Sequence, residues 1–400
     1  MALNNRLTRK KIYPRLCYSF IIASFVFFPT GCQPVISLGK NPEGEDLKKI
    51  EALPNYRNGQ FQNLEQSPSR GGSSSSLSSI SSSSSTTVNN PPRRGPRWLG
   101  MAKYFFGKLK ITRPPARVPV MITDLKKTHY TKPTVFWFGH SSALIKTATA
   151  NILFDPSFSG FAGPFDGLVK AFPGTNAYDG RDMPTIDALV ISHDHYDHLD
   201  YQTIRQLRKK VKRVIVPIGV GSHFRKWGYD PAKITELNWN ESVTLTDKVT
   251  ITATPAHHRS NRTFEQRKTL WASYVVQADG YKIYFSGDTG YSKHFKLIGD
   301  QYGPFDLALL ECGQYNPRWS QSHMFPEQTA QAALDLRTAM TIPIHWGKFA
   351  ESTHPWNEPV NRLLASADSL HVPVTIPFIG QPYPIGDSIL QVKWWNLLEP

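Results

Sequence analysis

A dense group of metal-binding side chains follows an apolar segment near the middle of the chain. Residues 188–192 (ALVIS) have the composition of a buried strand, and the next six residues are His193, Asp194, His195, Tyr196, Asp197 and His198. While the backbone stays extended, side chains alternate, so His193 and His195 fall on one side about 7 Å apart. Imidazole and carboxylate groups suit Zn²⁺, and also Fe or Mn. The segment therefore predicts a metal site rather than a loop whose histidines only make surface hydrogen bonds.

Later segments offer the ligands that a second metal would need. The chain turns towards a helix predicted to begin near Asp200, so Asp197 and His198 can point at a second ion. Three more strand-like segments end in histidine or aspartate: Thr254–Pro255–Ala256–His257–His258, Phe285–Ser286–Gly287–Asp288 and Ile342–Pro343–Ile344–His345. Each alone is a weak signal, because a single histidine after a strand is more often structural. Together, in this order, they predict a two-metal site.

The elements that position these residues have an α/β pattern. Apolar runs of strand length recur from Thr134 to Glu311, and helical patterns accompany them at 201–210, 221–227, 326–336 and 358–369. The early strands follow one another directly and the later ones alternate with helices, which indicates two sheets packed face to face with helices outside. An apolar content of 40% is enough for such a core. We therefore predict a catalytic domain over residues 97–400.

The N-terminus has the features of an export signal. Several Lys and Arg residues precede an apolar run from Leu16 to Phe28, which is too short to span a bilayer comfortably. Gly31–Cys32 at its end resembles a bacterial lipobox, so we predict that 1–32 is a signal peptide and that Cys32 becomes lipid-anchored. Soluble export and an uncleaved anchor stay open. Gln33 after the cysteine would favour the outer membrane in a Gram-negative source.

Residues 33–96 lack sustained periodicity, and 67–88 are dominated by serine, which predicts a disordered tether between the anchor and the domain. The net charge of +15 suits anionic lipid headgroups or nucleic acid, or is merely solvated surface. Cys312 is the single cysteine of the predicted domain, so no disulfide forms within it. No Ser-His-Asp arrangement and no glycine-rich phosphate loop is evident.

The order HxHxDH, then His, then Asp, then His resembles the signature of the metallo-β-lactamase superfamily. More specifically, several stretches between about residues 110 and 380 are similar to N-acyl-phosphatidylethanolamine phospholipase D and its bacterial relatives: Trp137–Ser141, Phe154–Pro156, His193–Tyr201, Ser286–Tyr291, Gly303–Asp306, Pro317–Trp319 and Ile344–Gly347. This resemblance implies a metallo-β-lactamase αββα sandwich, that is, two packed mixed sheets with outer helices.

The resemblance also implies roles for individual residues. One metal would be held by His193, His195 and His258, and the other by Asp197, His198 and His345, with Asp288 bridging both; the alternative His257 stays open in place of His258. Asp155 and His140 would orient ligands, although His140 could equally be a core histidine. His323 would act on the substrate as a catalytic residue, although a surface-loop role stays open for it, and Asp288 would also be catalytic. Tyr196 and Gln314 could also face the cleft.

Two divalent metal ions, with zinc preferred, can share a water and lower its pKa to near neutrality. The resulting bridging hydroxide would make the chain a phospholipase D-type phosphodiesterase that acts on N-acyl-phosphatidylethanolamine-like phospholipids at a membrane surface. We expect no nucleic-acid partner, and a homodimer stays open. The alternatives are a lactonase or another hydrolase of water-soluble substrates that uses the same metals, and a non-enzymatic envelope protein.

Overall fold

The computed structural model describes residues 36–65, 110–127 and 129–398. Its first elements are α1 (Gly44–Glu51), β1 (Tyr56–Arg57), β2 (Gln60–Phe61), β3 (Thr134–Trp137), β4 (Ala143–Lys146), β5 (Asn151–Phe154), β6 (Ile186–Val190), α2 (Tyr201–Leu207), β7 (Val211–Pro217), α3 (Gly221–Lys226) and β8 (Ile234–Leu237). They are followed by β9 (Ser242–Thr246), β10 (Val249–Thr254), β11 (Ser273–Ala278), β12 (Tyr281–Phe285), α4 (His294–Tyr302), β13 (Leu307–Glu311), α5 (Pro326–Leu336), β14 (Thr341–Ile344), α6 (Glu358–Leu370) and β15 (Pro382–Pro384). No helix in these ranges is long and apolar enough to span a membrane.

Two mixed sheets form the centre of the fold. One has the strand order β15-β3-β4-β5-β6-β7-β8, with antiparallel pairing up to β5 and parallel pairing from β5 to β8. The other has the order β14-β13-β12-β11-β10-β9. In this sheet the pairs β12–β13 and β13–β14 are parallel. Their inner faces meet, as where the rings of Phe154 and Phe285 lie 4.6 Å apart.

Alternation along each strand separates the inner core from the helix layers. In β5, Ile152 and Phe154 belong to the core between the sheets, whereas Leu153 belongs to a cluster with Ile204 of α2 and Phe224 of α3. On the other side, α4, α5 and α6 pack in the same way on β13. The αββα architecture predicted from the sequence is therefore confirmed.

The predicted start of the folded domain at residue 97 needs a correction. Residues 36–65, which we call the N-terminal arm, lie within the predicted disordered linker at 33–96 but form α1 and the β1–β2 hairpin. Phe61 and Ile50 of the arm are buried against Leu270 and Trp271 of the domain. The serine-rich stretch and the predicted signal peptide at 1–32 lie outside the described residues. Because the arm precedes that stretch and packs on the domain, the serine-rich stretch connects two parts of one folded unit.

Candidate metal centre

The predicted ligands come from loops that follow four strands of the two sheets. His193 lies three residues after β6, His258 four after β10, Asp288 three after β12 and His345 directly after β14. These strand ends meet at one edge of the sandwich, because atoms of the ligands from all four loops lie within a few ångströms of one another. The fold thus brings together residues that are up to 152 positions apart in sequence.

Two glycines allow the ligand loops to approach so closely. Gly287, directly before Asp288, has a φ of +55°, and a Cβ there would lie 2.5 Å from the Cβ of Ser192. Gly313 would place a Cβ 2.1 Å from the carbonyl oxygen of His345. A side chain at either position would force the loops apart, since real Cβ atoms do not approach other atoms this closely.

Donor atoms that could hold a metal form overlapping groups, the members of each lying within 4.8 Å of one another. The first group is His193, His195, His258 and Asp288; the second is His140, Asp197, His198 and His345. A third, which shares one member with each of them, is Asp288, Glu311, His323 and His345. Asp288 contacts both: its Oδ2 lies 3.8 Å from Nε2 of His193 and 3.2 Å from Nε2 of His198, and its Oδ1 lies 3.1 Å from Nδ1 of His345. This is the position that a bridging ligand requires. His257 belongs to none of these groups.

Unpaired atoms at the centre of the cluster test whether a cation fits. Nε2 of His193, His198 and His345 and Oδ1 of Asp288 are buried, and none makes a hydrogen bond of good geometry in the part of the chain that the structure describes, although His198 and Asp288 lie at ion-pair distance from other members of the cluster. Buried polar atoms without partners are costly, and such groups are normally satisfied. Four of them converging on one space fit divalent cations, which bind neutral imidazole and carboxylate together.

The other ring nitrogens are engaged. Nδ1–H of His198 donates to Oδ2 of Asp155 at 2.8 Å, and Nδ1–H of His258 donates to the carbonyl oxygen of Ser322 at 2.9 Å. The Ser192 hydroxyl donates to Asp155, so its oxygen accepts from Nδ1–H of His193 at 2.9 Å. These bonds fix each ring with Nε2 towards the cluster, as metal ligation requires.

His140 contacts a predicted ligand directly. Its Nε2–H donates to Oδ2 of Asp197 at 2.7 Å, and the residue has a φ of +53°. Asp155 and His345 also lie in the left-handed region, with φ of +39° and +63°. Such conformations are uncommon outside glycine and cost free energy, and they cluster where the surroundings hold side chains in place. Of the two roles open for His140, the structure therefore favours contact with the predicted ligand Asp197.

Burial and neighbouring charge shift the pKa values of the clustered histidines in opposite directions. Burial lowers the pKa of His193, His258 and His345 well below the usual value, so these rings are neutral. Burial also opposes the charged form of His198, but Asp288 and Asp197 outweigh it and raise its pKa well above the usual value. The pKa of Asp288 is raised to about 7, chiefly by burial. Neutral imidazole is the form that binds metal, so a metal bound by His198 would displace the proton that this ring holds.

A cleft of about 270 Å³ opens over the cluster, and its walls include His323, Gln314, Arg259 and Trp319. Nδ1 of His323 is hydrogen-bonded at 3.1 Å to Oε2 of Glu311, which is fully buried at the end of β13. Sequence reasoning missed Glu311, Arg259 and Trp319 as site residues. The signal for Glu311 was a single acid at the end of the apolar run LALLE, and the signal for Trp319 was its place in the Pro317–Trp319 stretch that resembles the family.

Two further predictions concern the cleft. Gln314 does line it, but its amide spans the loop behind, donating to the carbonyl oxygen of Phe349 and accepting from the N–H of Glu351. Tyr196 is not among the residues that line this cleft: its hydroxyl donates to the carbonyl oxygen of Arg262, and the guanidinium lies 4.3 Å from its ring. The expectation that Tyr196 faces the cleft is wrong, because the buried guanidinium holds the ring elsewhere.

Comparison with known proteins agrees with this geometry. Residues 150–346 match the family described as Beta-lactamase superfamily domain. An uncharacterised protein of Mycobacterium tuberculosis is 38% identical over 363 residues, which cover 88% of this chain and 91% of that protein. The N-acyl-phosphatidylethanolamine-hydrolyzing phospholipase D 1 of Caenorhabditis elegans is 32% identical over 256 residues, 58% of this chain and 69% of that protein.

Two more similarities are to an outer membrane protein and to a solved structure. The outer membrane protein RomA of Klebsiella pneumoniae is 48% identical over 106 residues, 26% of this chain and 80% of that protein. The solved structure of Igni18, a metallo hydrolase of Ignicoccus hospitalis, superposes with a TM-score of 0.50 at 20% identity, covering 63% of this chain and 98% of that one. The chain belongs to the metallo-β-lactamase superfamily of metal-dependent hydrolases.

Proposed function

We propose that the protein is a two-metal phosphodiesterase of the phospholipase D type that hydrolyses N-acyl-phosphatidylethanolamine-like phospholipids. The observation that carries the proposal is the position of Asp288, in contact with both groups of histidines at the base of an open cleft. The similarity to the C. elegans phospholipase supports the choice of substrate class.

Two divalent cations would be held in this centre, and zinc is the preferred ion because imidazole and carboxylate ligands predominate. His193, His195 and His258 would hold one, Asp197, His198 and His345 the other, and Asp288 both. Bound there, the ions would supply a water of near-neutral pKa and stabilise charge on the phosphate oxygens. Asp288 sets the spacing between the two groups and can take up the proton of the attacking water at Oδ2.

His323 is the proposed proton donor to the leaving group. As the water oxygen bonds to phosphorus, the bond from phosphorus to the ethanolamine oxygen breaks. Nε2–H of His323 protonates that oxygen while Nδ1 takes the carboxyl proton of Glu311, whose pKa is raised by burial. The hydrogen bond from Glu311 to Nδ1 fixes the ring and leaves Nε2 to act on the substrate. Arg259, exposed at the cleft wall, supplies a positive charge for the anionic phosphodiester.

The proposed cellular position is the envelope, with export and lipidation at Cys32; RomA, an outer membrane protein, is a relative. Cys32 lies four residues before Ile36, a reach of roughly 14 Å at most. Because the arm packs on the domain, such an anchor would hold the domain close to the bilayer. Ile36, at the start of the arm, is exposed. Three more apolar side chains are exposed on the two loops that the arm contacts, namely Phe165, Leu168 and Phe264.

The proposal is tested by assaying purified, metal-analysed protein on three substrates: N-acyl-phosphatidylethanolamine in vesicles, a bis-aryl phosphate and a water-soluble lactone. We expect release of N-acylethanolamine and phosphatidic acid from the vesicles, lost on chelation and restored by added zinc. The bis-aryl phosphate should be cleaved more slowly. Turnover of the lactone alone would reject the phospholipase assignment while leaving a metal-dependent hydrolase. No metal-dependent turnover of any of the three would reject both.

A further inference from the structure

The N-terminal arm lies outside residues 150–346, which match the family, yet it packs on the loop that carries His258. Phe61 of the arm is fully buried beside Leu270 and Trp271, and its backbone N–H donates to the carbonyl oxygen of Arg267 at 2.9 Å. The arm therefore forms one wall of this ligand loop, and its contacts can set the position of the ligand.

Asn63 is the point where the arm contacts the ligand itself. Its Oδ1 accepts from the backbone N–H of His258 at 3.0 Å and from Nε1–H of Trp271 at 2.9 Å. A backbone N–H inside a packed loop needs a partner, and here a side chain 195 residues earlier supplies it. Asn63 holds the main chain of His258 and the carbonyl oxygen of Ser322 holds its ring, so both the backbone and the ring of this residue are fixed.

The beginning of the arm braces the other loop of the first group. The carbonyl oxygen of Ser37 accepts from Nε–H of Arg262 at 2.8 Å. Nη1 of this buried guanidinium donates in turn to the carbonyl oxygens of Asp194, within the ligand segment, and Leu199, directly after it. The arm thus reaches, directly or through one side chain, both loops that carry His193, His195 and His258.

We infer that Asn63 is a positioning residue for the first metal group, through which the N-terminal arm sets the metal affinity of His193, His195 and His258. The inference rests on the proposed metal centre, but not on the phospholipid substrate. The second group has its own support, since His345 is held by the hydroxyl of Ser141 at 3.2 Å and by a main-chain bond to His140. A change at Asn63 therefore acts on one metal and not on both.

The test is a metal titration of full-length variants by competition with a chromophoric chelator. Asn63→Leu keeps the approximate size and removes the acceptor, whereas Asn63→Asp keeps an acceptor oxygen. Gln62→Leu is the matched control, because within the described ranges the Gln62 amide bonds to carbonyl oxygens of the arm, those of Arg57 and Gln60. Loss of an outer contact of this kind costs 10- to 100-fold in metal affinity. We expect about that loss for one ion in Asn63→Leu, and parent affinities for both ions in Asn63→Asp and Gln62→Leu.

A double-mutant cycle separates positioning from general destabilisation. In a His258→Ala background, Asn63→Leu should weaken metal binding no further, because the ligand that Asn63 positions is gone. Asn63→Ser, which shortens the side chain, makes the same test if the leucine variant does not fold. Equal weakening of both ions, or parent affinity in a folded Asn63 variant that lacks the acceptor, would overturn the inference. A parent protein that binds no metal would instead overturn the metal centre.

Discussion

Asp155 is the residue whose alteration tests the support of the second metal group most sharply. Its fully buried carboxylate accepts from the backbone N–H of Ser192 at 2.7 Å, from the Ser192 hydroxyl at 2.5 Å and from Nδ1–H of His198 at 2.8 Å. In Asp155→Asn, one oxygen can still accept from the backbone, but an NH₂ group then faces Nδ1–H of His198. Two donors oppose each other, and Nε2 loses its fixed direction towards the metal.

The size of the effect follows from the bond that is lost. A hydrogen bond to a charged group is worth about 1.5–3 kcal/mol, and each 1.4 kcal/mol is about tenfold in a binding constant. Asp155→Asn should therefore weaken the metal held by His198 by roughly 10- to 100-fold, which agrees with the usual effect of changing such contacts. The metal held by His193 should be weakened less, because Asp155 reaches His193 only through the Ser192 hydroxyl.

The assay is chelator competition, with thermal unfolding of the metal-free protein alongside it. Asp187→Asn is the control: this carboxylate likewise joins β5 to β6, accepting from the N–H of Asn151 at 2.8 Å, but it also pairs with Lys212 at the surface. Parent metal affinity in a folded Asp155→Asn variant, or an equal loss in Asp187→Asn, would refute the reasoning.

Four further substitutions probe the centre and its surroundings. Asp197→Asn and His345→Ala should each lose bound metal and activity while circular dichroism shows the fold intact; full activity in either would remove the proposed ligand roles. Glu311→Gln should lower kcat by roughly 10²-fold on substrates with an alkoxide leaving group, which is the smaller end of a general-acid contribution. On bis-aryl phosphates kcat should fall much less, because their leaving group needs no proton. Equal losses on both kinds of substrate would argue against a role of Glu311 through His323. Burial lowers the pKa of Lys348 to about 7, so between pH 7 and about 10 the unfolded chain binds the proton that the folded chain has released. The free energy of unfolding of the parent should therefore rise relative to Lys348→Met by about 1.4 kcal/mol per pH unit above pH 7; denaturant titrations at pH 7 and 9 that show no such rise would contradict this.

The fold and the cluster of candidate ligands were accessible from the sequence because both depend on local patterns, whereas the assignment of those residues to two metals came from the resemblance to the superfamily and stays a prediction. Buried strands have long apolar runs, and the ligands follow those runs directly, as His193 follows ALVIS. Strands without such runs were missed. In β9 no residue is fully buried, and β15 is an edge strand with two prolines, which have no N–H to donate to a sheet.

The N-terminal arm could not be predicted because nothing local specifies it. Its two strands have two residues each, and its stability comes from burying Phe61 and Ile50 on a loop more than 200 residues later. The role of Asn63 is hidden for the same reason: an asparagine near a serine-rich stretch looks like any linker residue. The left-handed backbone at His140 and His345 is likewise set by tertiary packing and not by residue type.

The metal content of the purified protein tests the central claim most directly. Elemental analysis, after removal of weakly bound ions, should give close to two divalent ions per chain for the parent. For Asp288→Asn, which alters a carboxylate in contact with both groups, it should give clearly fewer. A parent protein that carries no divalent metal after reconstitution, or an Asp288→Asn variant that retains both ions at parent affinity, would contradict the account.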